Sequence, residues 1–200
     1  GGFRNNWYNQ VGGKLSLDFT PFDGFKLSAI VSPNLGFDKA KNFQKKVSYT
    51  DWEDPTLVLG TLEWAKTINL YESRNDNYQV TTQFLANYTK TIKEHNLNVL
   101  AGYENYYAFY ENLSASREQY DLEAFPYLDL GPLTYRGNNG NAYENAYRSW
   151  LGRVMYNYQS KYFIQGNIRF DASSRFHTDY RWGSFPSLSA GWVISEESFM

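Results

Sequence analysis

Residues 77–90 alternate with a period of two. Tyr78, Val80, Thr82, Phe84, Ala86 and Tyr88 fall on one side, and Asn77, Gln79, Thr81, Gln83 and Asn87 on the other, with Leu85 the exception. Successive side chains of an extended strand point to opposite faces, so this pattern fits a strand lying between two unlike surroundings. It does not fit a helix, whose period is 3.6.

The alternation recurs along the chain at residues 11–20, 25–32, 96–107, 149–158, 162–172 and 186–194. Leu15, Leu17 and Phe19 oppose Lys14, Ser16 and Asp18. Leu97, Val99, Ala101 and Tyr103 oppose Asn98 and Glu104. Trp150, Val154 and Tyr156 oppose Arg153, and Ile164, Ile168 and Phe170 oppose Gln165, Asn167, Arg169 and Asp171. Leu188, Ala190 and Trp192 oppose Ser187 and Ser189. Each segment is close to the ~9–11 residues that a tilted strand needs to cross a bilayer.

The connections alternate as well. Those near residues 21–24, 91–95 and 159–161 are short, whereas those near 34–76, 112–146 and 173–184 are long. Barrels of the outer-membrane type join their strands by short periplasmic turns and longer extracellular loops. The expected fold is therefore all-β, an antiparallel meander of transmembrane hairpins. Gln79, Gln83, Asn98, Glu104, Arg153, Gln165, Asn167, Arg169 and Asp171 are expected to line its lumen.

Composition supports a membrane wall. Aromatic residues make up 19% of the chain (18 Tyr, 14 Phe and 6 Trp), yet the mean hydropathy is −0.61. A wall that shows rings to lipid and amides to a wet interior needs both. Outward rings should gather at the two interfaces, where an apolar body and a polar edge are both satisfied. Phe19, Phe25, Tyr88, Tyr156, Tyr158, Tyr162 and Trp192 fall at the short-turn ends, and Tyr78, Tyr103, Trp150 and Phe170 near the long-loop ends. Leu85, Leu100, Leu151, Met155 and Phe163 break the pattern by pointing inward, and Arg148 by pointing outward.

A net charge of −2 gives no basic patch for nucleic acid, and the absence of cysteine excludes disulfides and thiolate metal sites. The carboxylates Asp51, Glu53 and Asp54, and the pair Glu196 and Glu197, are near neighbours in polar segments and read as solvated surface. His95 and His177 have no second ligand at metal spacing. No catalytic, metal or cofactor-binding set is expected. Trp52, Trp64, Tyr127 and Tyr135 lie in the long connections, either to stack on sugar rings or to pack those loops together. Arg169 and Asp171, with Arg175 beyond, read as an ion-pair ladder or as contacts to a polar substrate or plug.

Residues 162–176, YFIQGNIRFDASSRF, and residues 182–199, WGSFPSLSAGWVISEESF, keep order, spacing and strand placement together. They resemble the SusC/RagA-type TonB-linked outer-membrane proteins of Bacteroidetes, whose barrels carry a strand R-x-D-G-S-S-R-F, a loop, then F-P-S-x-S-x-G-W and a turn ending E-x-F. Ala172 replaces the usual Gly of that strand, and His177 the Gly that often follows Phe176. The resemblance implies a 22-stranded barrel with an internal plug, capped by a SusD-like surface lipoprotein and driven by TonB. It implies import of oligosaccharides, and in some members peptides, across the bacterial outer membrane, without enzymatic activity.

On this reading residues 1–200 are a partial TonB-dependent receptor barrel, and the start at Gly1 and the turn before Met200 read as cuts within a longer protein that also holds the plug. Two other readings remain at this point. One is a siderophore or vitamin receptor of the same barrel type, against which the loop-and-turn motif speaks. The other is a soluble β-rich carbohydrate-binding adhesin, which requires Tyr78, Phe84, Val154 and Ile168 to lie in a closed interior.

Overall fold

The computed structural model describes residues 1–199. Eleven strands account for most of them: β1 (Gly2–Trp7), β2 (Gln10–Gly12), β3 (Leu15–Phe22), β4 (Phe25–Gln44), β5 (Ser48–Thr50), β6 (Val58–Thr61), β7 (Asn69–Ile92), β8 (His95–Glu118), β9 (Arg136–Tyr158), β10 (Tyr162–Ser173) and β11 (Trp182–Trp192). The main sheet runs β1-β4-β7-β8-β9-β10-β11, with β2 and β3 also paired to β4, and β5 and β6 form a separate hairpin. Since β1, β2 and β3 all pair with β4, they amount to one interrupted strand. Seven rows result, as the alternation predicts.

Short turns join β3 to β4, β7 to β8 and β9 to β10. Gly24 has φ +81°, and an added Cβ there would stand 2.2 Å from the Thr89 carbonyl oxygen, so this turn requires glycine. Gln159 and Ser160 both take positive φ (54° and 55°), the backbone of a tight turn matched to strand twist.

Several strands run past their expected ends. Residues 34–44, 69–76, 112–118 and 136–146 are strand, where the sequence pattern suggests connection. The physical reason is that a ladder is held by backbone hydrogen bonds, which polar residues form as well as apolar ones. Side-chain alternation persists only where the two faces meet different media.

The contacts divide the chain into two compact units. Unit 1 comprises residues 1–11, 35–78 and 110–143. It holds the buried apolar cluster of Phe43, Ile68, Leu70 and Tyr120, with Leu128 packed against it. Phe43 meets Tyr120 edge to face at 6.3 Å and Phe3 at 5.8 Å. Lys41 pairs with Glu72 at 2.9 Å and lies over the Tyr127 ring. Burial raises the Tyr120 phenol above its ordinary pKa, and its O–H donates to the Tyr127 carbonyl. Trp52 and Trp64 are exposed.

Unit 2 comprises residues 12–34, 79–109 and 144–200. Its sheet has one apolar and one polar face. In register, Phe170 opposes both Trp150 and Ser184, and Ile168 opposes Gly152 and Pro186, so these share the apolar side. That side is open: Leu17, Phe19, Phe84, Trp150, Val154, Ile164, Ile168, Leu188 and Trp192 are all exposed, Leu188 by 76%. Tyr103 packs on Trp150 within this face at 4.8 Å.

A chain of rings runs across unit 2 at its short-turn end. His95–Tyr158 are 4.7 Å apart, Tyr158–Tyr162 6.4 Å, Tyr162–Trp192 6.4 Å and Trp192–Phe199 6.5 Å. Glu197 ties two of them together, accepting from the Tyr162 hydroxyl and from Trp192 Nε1. Of the rings expected at this end, Tyr158, Tyr162 and Trp192 lie in this chain, and Glu197 of the turn motif anchors two of them.

Candidate functional site on the polar face

The polar face of unit 2 is built around Arg169. In the ladder Arg169 opposes Leu151 on one side and Phe185 on the other, and Asp171 opposes Ser149 and Gly183. Directly opposed residues of an antiparallel pair share a face, which brings these side chains together. Arg169 Nε donates to Asp171 Oδ1 at 2.7 Å, and Nη2 donates to Glu104 Oε1 at 2.9 Å and Ser149 Oγ at 3.0 Å. Gln83 Nε2 donates to the other Glu104 oxygen at 2.6 Å. Residues from β7, β8, β9 and β10 thus form one network. Such a partly exposed pair contributes about 1 kcal/mol or less by itself; its geometric effect is to fix the guanidinium plane.

Further along the same face, Gln165 Nε2 donates to Asn167 Oδ1 at 3.1 Å, and Asn167 Nδ2 to Ser187 Oγ at 3.1 Å. Asn98 Nδ2 lies 2.8 Å from both Asn87 Oδ1 and Thr89 Oγ1, and Asn96 Nδ2 donates to Asn157 Oδ1 at 2.9 Å. Arg153 opposes Asn167, and its Nε is buried with no partner among the described residues. Gln79 precedes Thr81 and Gln83 on the same side of β7 by strand alternation.

Of the nine candidates, the structure joins Gln83, Glu104, Arg169 and Asp171 in one network. Gln165 and Asn167 form a second group, and Asn98 belongs to a third. Arg175 lies outside these, donating from Nε to Asn145 Oδ1. The sequence reading missed Ser149, which is 2% exposed, and Phe185, which lies just before the expected start of the last strand. Register was the missing signal in both cases, since composition does not reveal which residues stand opposite Arg169 and Asp171.

The inward apolar residues also have a local account. An added Cβ at Gly102 would stand 2.7 Å from Leu85 Cδ2 and 3.0 Å from Leu151 Cδ1. The two leucines therefore converge over a glycine from neighbouring strands, forming an apolar island within the polar face.

A cavity of about 780 Å³ opens beside the Arg169 network. Its walls include Thr81, Ser149 and Ser173, the Tyr106–Tyr147 ring pair at 5.6 Å, and Phe176, Tyr180 and Phe185. The histidines are engaged elsewhere: His95 Nδ1 lies 2.7 Å from the Tyr156 hydroxyl, and His177 lies beside Asp179.

No family model matches the chain. Among curated proteins it is 31% identical over 183 residues to TonB-dependent receptor P39 of Formosa agariphila, covering 87% of this chain and 17% of that protein. It is 30% identical over 123 residues to TonB-dependent receptor SusC of Bacteroides thetaiotaomicron, covering 62% of this chain and 12% of the relative. In fold it superposes on the solved RagAB peptide transporter with a TM-score of 0.84 at 18% identity, covering 98% of this chain and 21% of that one.

Open sheet, exposed apolar face and relatives agree on a membrane β-barrel wall. The chain belongs to the SusC/RagA-type TonB-dependent receptors. It spans less than a fifth of the length of the curated relatives it matches. The closed interior that a soluble adhesin requires is not found: Tyr78, Phe84, Val154 and Ile168 are 41–54% exposed.

Proposed function

We propose that this chain forms part of the wall of an outer-membrane importer that takes up oligosaccharides by a TonB-dependent route. The single observation that carries this reading is the two-faced sheet of unit 2. Its apolar face has no covering layer among the described residues, and its polar face is cross-linked by side-chain hydrogen bonds. An apolar face of this extent is stable against acyl chains and unfavourable against water.

In this reading Gln79, Gln83, Asn98, Glu104, Arg153, Gln165, Asn167, Arg169 and Asp171 line the lumen. The segments 34–76, 112–146 and 173–184 reach the cell exterior. A SusD-like surface lipoprotein closes the outer mouth, and TonB acts through a plug supplied by the rest of the protein. The wall performs no bond chemistry. Peptides are the second cargo class, supported by the likeness in fold to RagAB, a peptide transporter, and by an amide's fit to paired donors and acceptors on the polar face.

The test is uptake of labelled oligosaccharides and labelled peptides by cells carrying or lacking the intact protein, with and without a protonophore. Oligosaccharide uptake lost on deletion and on de-energising supports the proposal. Uptake of peptides alone transfers the reading to peptide import, and uptake of neither overturns it.

A further inference from the structure

Arg148 interrupts the apolar side of unit 2, and the wall role makes no use of it. It opposes Ala172 on β10, which in turn opposes Trp182 on β11. By alternation it shares the face of Trp150, two residues further along β9. Phe170 and Ser184 are the next residues of that face on β10 and β11, so those strands bring no carboxylate to the guanidinium. Arg148 is exposed, and no hydrogen bond or ion pair engages it among the described residues. Arg169, Arg175 and Arg181 differ, since each donates to an oxygen of another residue. A cation facing lipid is tolerated near the interface and becomes costly toward the midplane.

The same face is hollowed beside this cation. A cavity of about 520 Å³ is lined by Phe84, Tyr103 and Trp150, with Tyr103 and Trp150 packed at 4.8 Å. Ala86 and Ala101 also line it. Each lies two residues from a ring on its own strand, so it shares the face of that ring. A methyl group beside a ring leaves a recess. Strand direction orders these parts. β9 starts from the long connection, which puts Arg148 on the loop side of Trp150. β8 ends at that connection, which puts Ala101 on the turn side of Tyr103. Cation, ring row and recess therefore follow one another from the long-loop end toward the middle of the wall.

From this order we infer that the apolar face holds a phosphorylated glycolipid of the outer leaflet, a molecule of the lipid A type. Its phosphate sits on Arg148 and one acyl chain lies along the ring row into the recess at Ala86 and Ala101. The planar fork of an arginine matches phosphate oxygens, and no residue of the chain competes for it. Trp182, exposed in the same row, offers an indole N–H and an apolar body at headgroup level. The volume lies within the usual range of roughly 300–1,000 Å³ for a small-ligand site, and its lining on this face suits a hydrocarbon. Long connections mark the cell exterior, and the leaflet on that side of a bacterial outer membrane is built of phosphorylated glycolipid. The inference rests on the membrane-wall reading and is independent of the cargo.

The test uses the intact receptor in detergent, washed free of bound lipid. It is titrated with lipid A, with lipid A stripped of phosphate and with phosphatidylglycerol, and native mass spectrometry counts the bound molecules. Arg148→Gln, Arg148→Lys and Ala101→Phe are compared with Lys93→Gln, in the turn between β7 and β8 at the opposite end. Heat-modifiable gel migration confirms that each variant is folded, and refolding of the parent into vesicles reads the wall reading by itself. The expected result is binding of lipid A, weakened about tenfold by removal of the phosphate or by Arg148→Gln. Ala101→Phe weakens it by filling the recess, Arg148→Lys retains part of it, and Lys93→Gln leaves it unchanged. Equal lipid A affinity in the parent and in either Arg148→Gln or Ala101→Phe overturns the site while the wall reading stands. Phosphatidylglycerol bound as tightly as lipid A also overturns it. A parent that does not enter vesicles overturns the site and the wall reading together.

Discussion

Unit 1 and unit 2 are drawn from the same continuous strands, yet they handle apolar side chains in opposite ways. Unit 1 seals Phe43, Ile68, Leu70 and Tyr120 together, with Leu70 fully buried, as a water-soluble β structure does. Unit 2 spreads its leucines, isoleucines and tryptophans over one open face and places its hydrogen-bonded network on the other. Strand geometry is common to both, so the difference lies in the surrounding medium each part is built to meet. Water drives apolar groups into contact with one another; a bilayer removes that drive and leaves them facing outward.

The comparison breaks first at Leu70. Truncating a fully buried leucine loses its transfer energy and leaves a cavity, so Leu70→Ala should cost about 2–5 kcal/mol. The readout is the denaturant midpoint of the intact receptor, followed by a probe in unit 1. The equivalent truncation on the open face, Leu188→Ala, should cost far less in a bilayer. Equal losses at the two positions would mean that both units bury their apolar residues alike.

Ile168 tests the other side. It sits at the middle of β10 on the apolar face and opposes Gly152 and Pro186. Ile168→Arg should cost about 2–4 kcal/mol when the receptor is refolded into vesicles, the value for a cation near the bilayer midplane. The same substitution at Leu133 in unit 1, exposed by 68%, should be nearly neutral. A silent Ile168→Arg in vesicles removes the lipid contact from unit 2.

The two units also differ in how much of them is legible in the sequence. Unit 2 is legible because its two media write a period-two pattern: Val80 to Tyr88 against Gln79 to Asn87, and Ile164 to Phe170 against Gln165 to Asp171. Unit 1 is not. The run RGNNGNAY from 136 to 143 shows no apolar side, yet it is strand, because backbone pairing does not depend on side-chain polarity. Its core residues Ile68 and Leu70 are separated in sequence from Tyr120, and no local period announces their meeting. Within the candidate site, Arg169, Asp171 and Glu104 stand out by charge on an alternating strand. Ser149 and Phe185 become visible only through strand register.

A smaller effect is expected at the polar network around Arg169 in unit 2. Removing Arg169 strands Glu104 and Asp171 without their shared donor, so Arg169→Met should cost about 1–3 kcal/mol. A double-mutant cycle with Glu104→Gln should return a coupling of roughly 0.2–1 kcal/mol, since the pair is partly exposed. Additive losses would mean that the network is a set of independent contacts.

The smallest expected effect is at Glu197, in the turn after β11. Its carboxyl is held below the ordinary value of 4.5, first by the Tyr162 hydroxyl and then by Trp192 Nε1, both of which favour the charged form. A group with a depressed pKa in the folded state stabilises the fold above its unfolded value, and that contribution is lost as pH falls through the lower folded value. Acidification below about pH 4.5 should therefore loosen the ring chain at Tyr162 and Trp192 before it disturbs the cluster around Leu70. Tryptophan fluorescence of the intact receptor in detergent, compared with a Glu197→Gln variant, reads this directly. The parent should show an acid-dependent change at Trp192 that the variant lacks; the same acid profile in both would assign the pH response to another group.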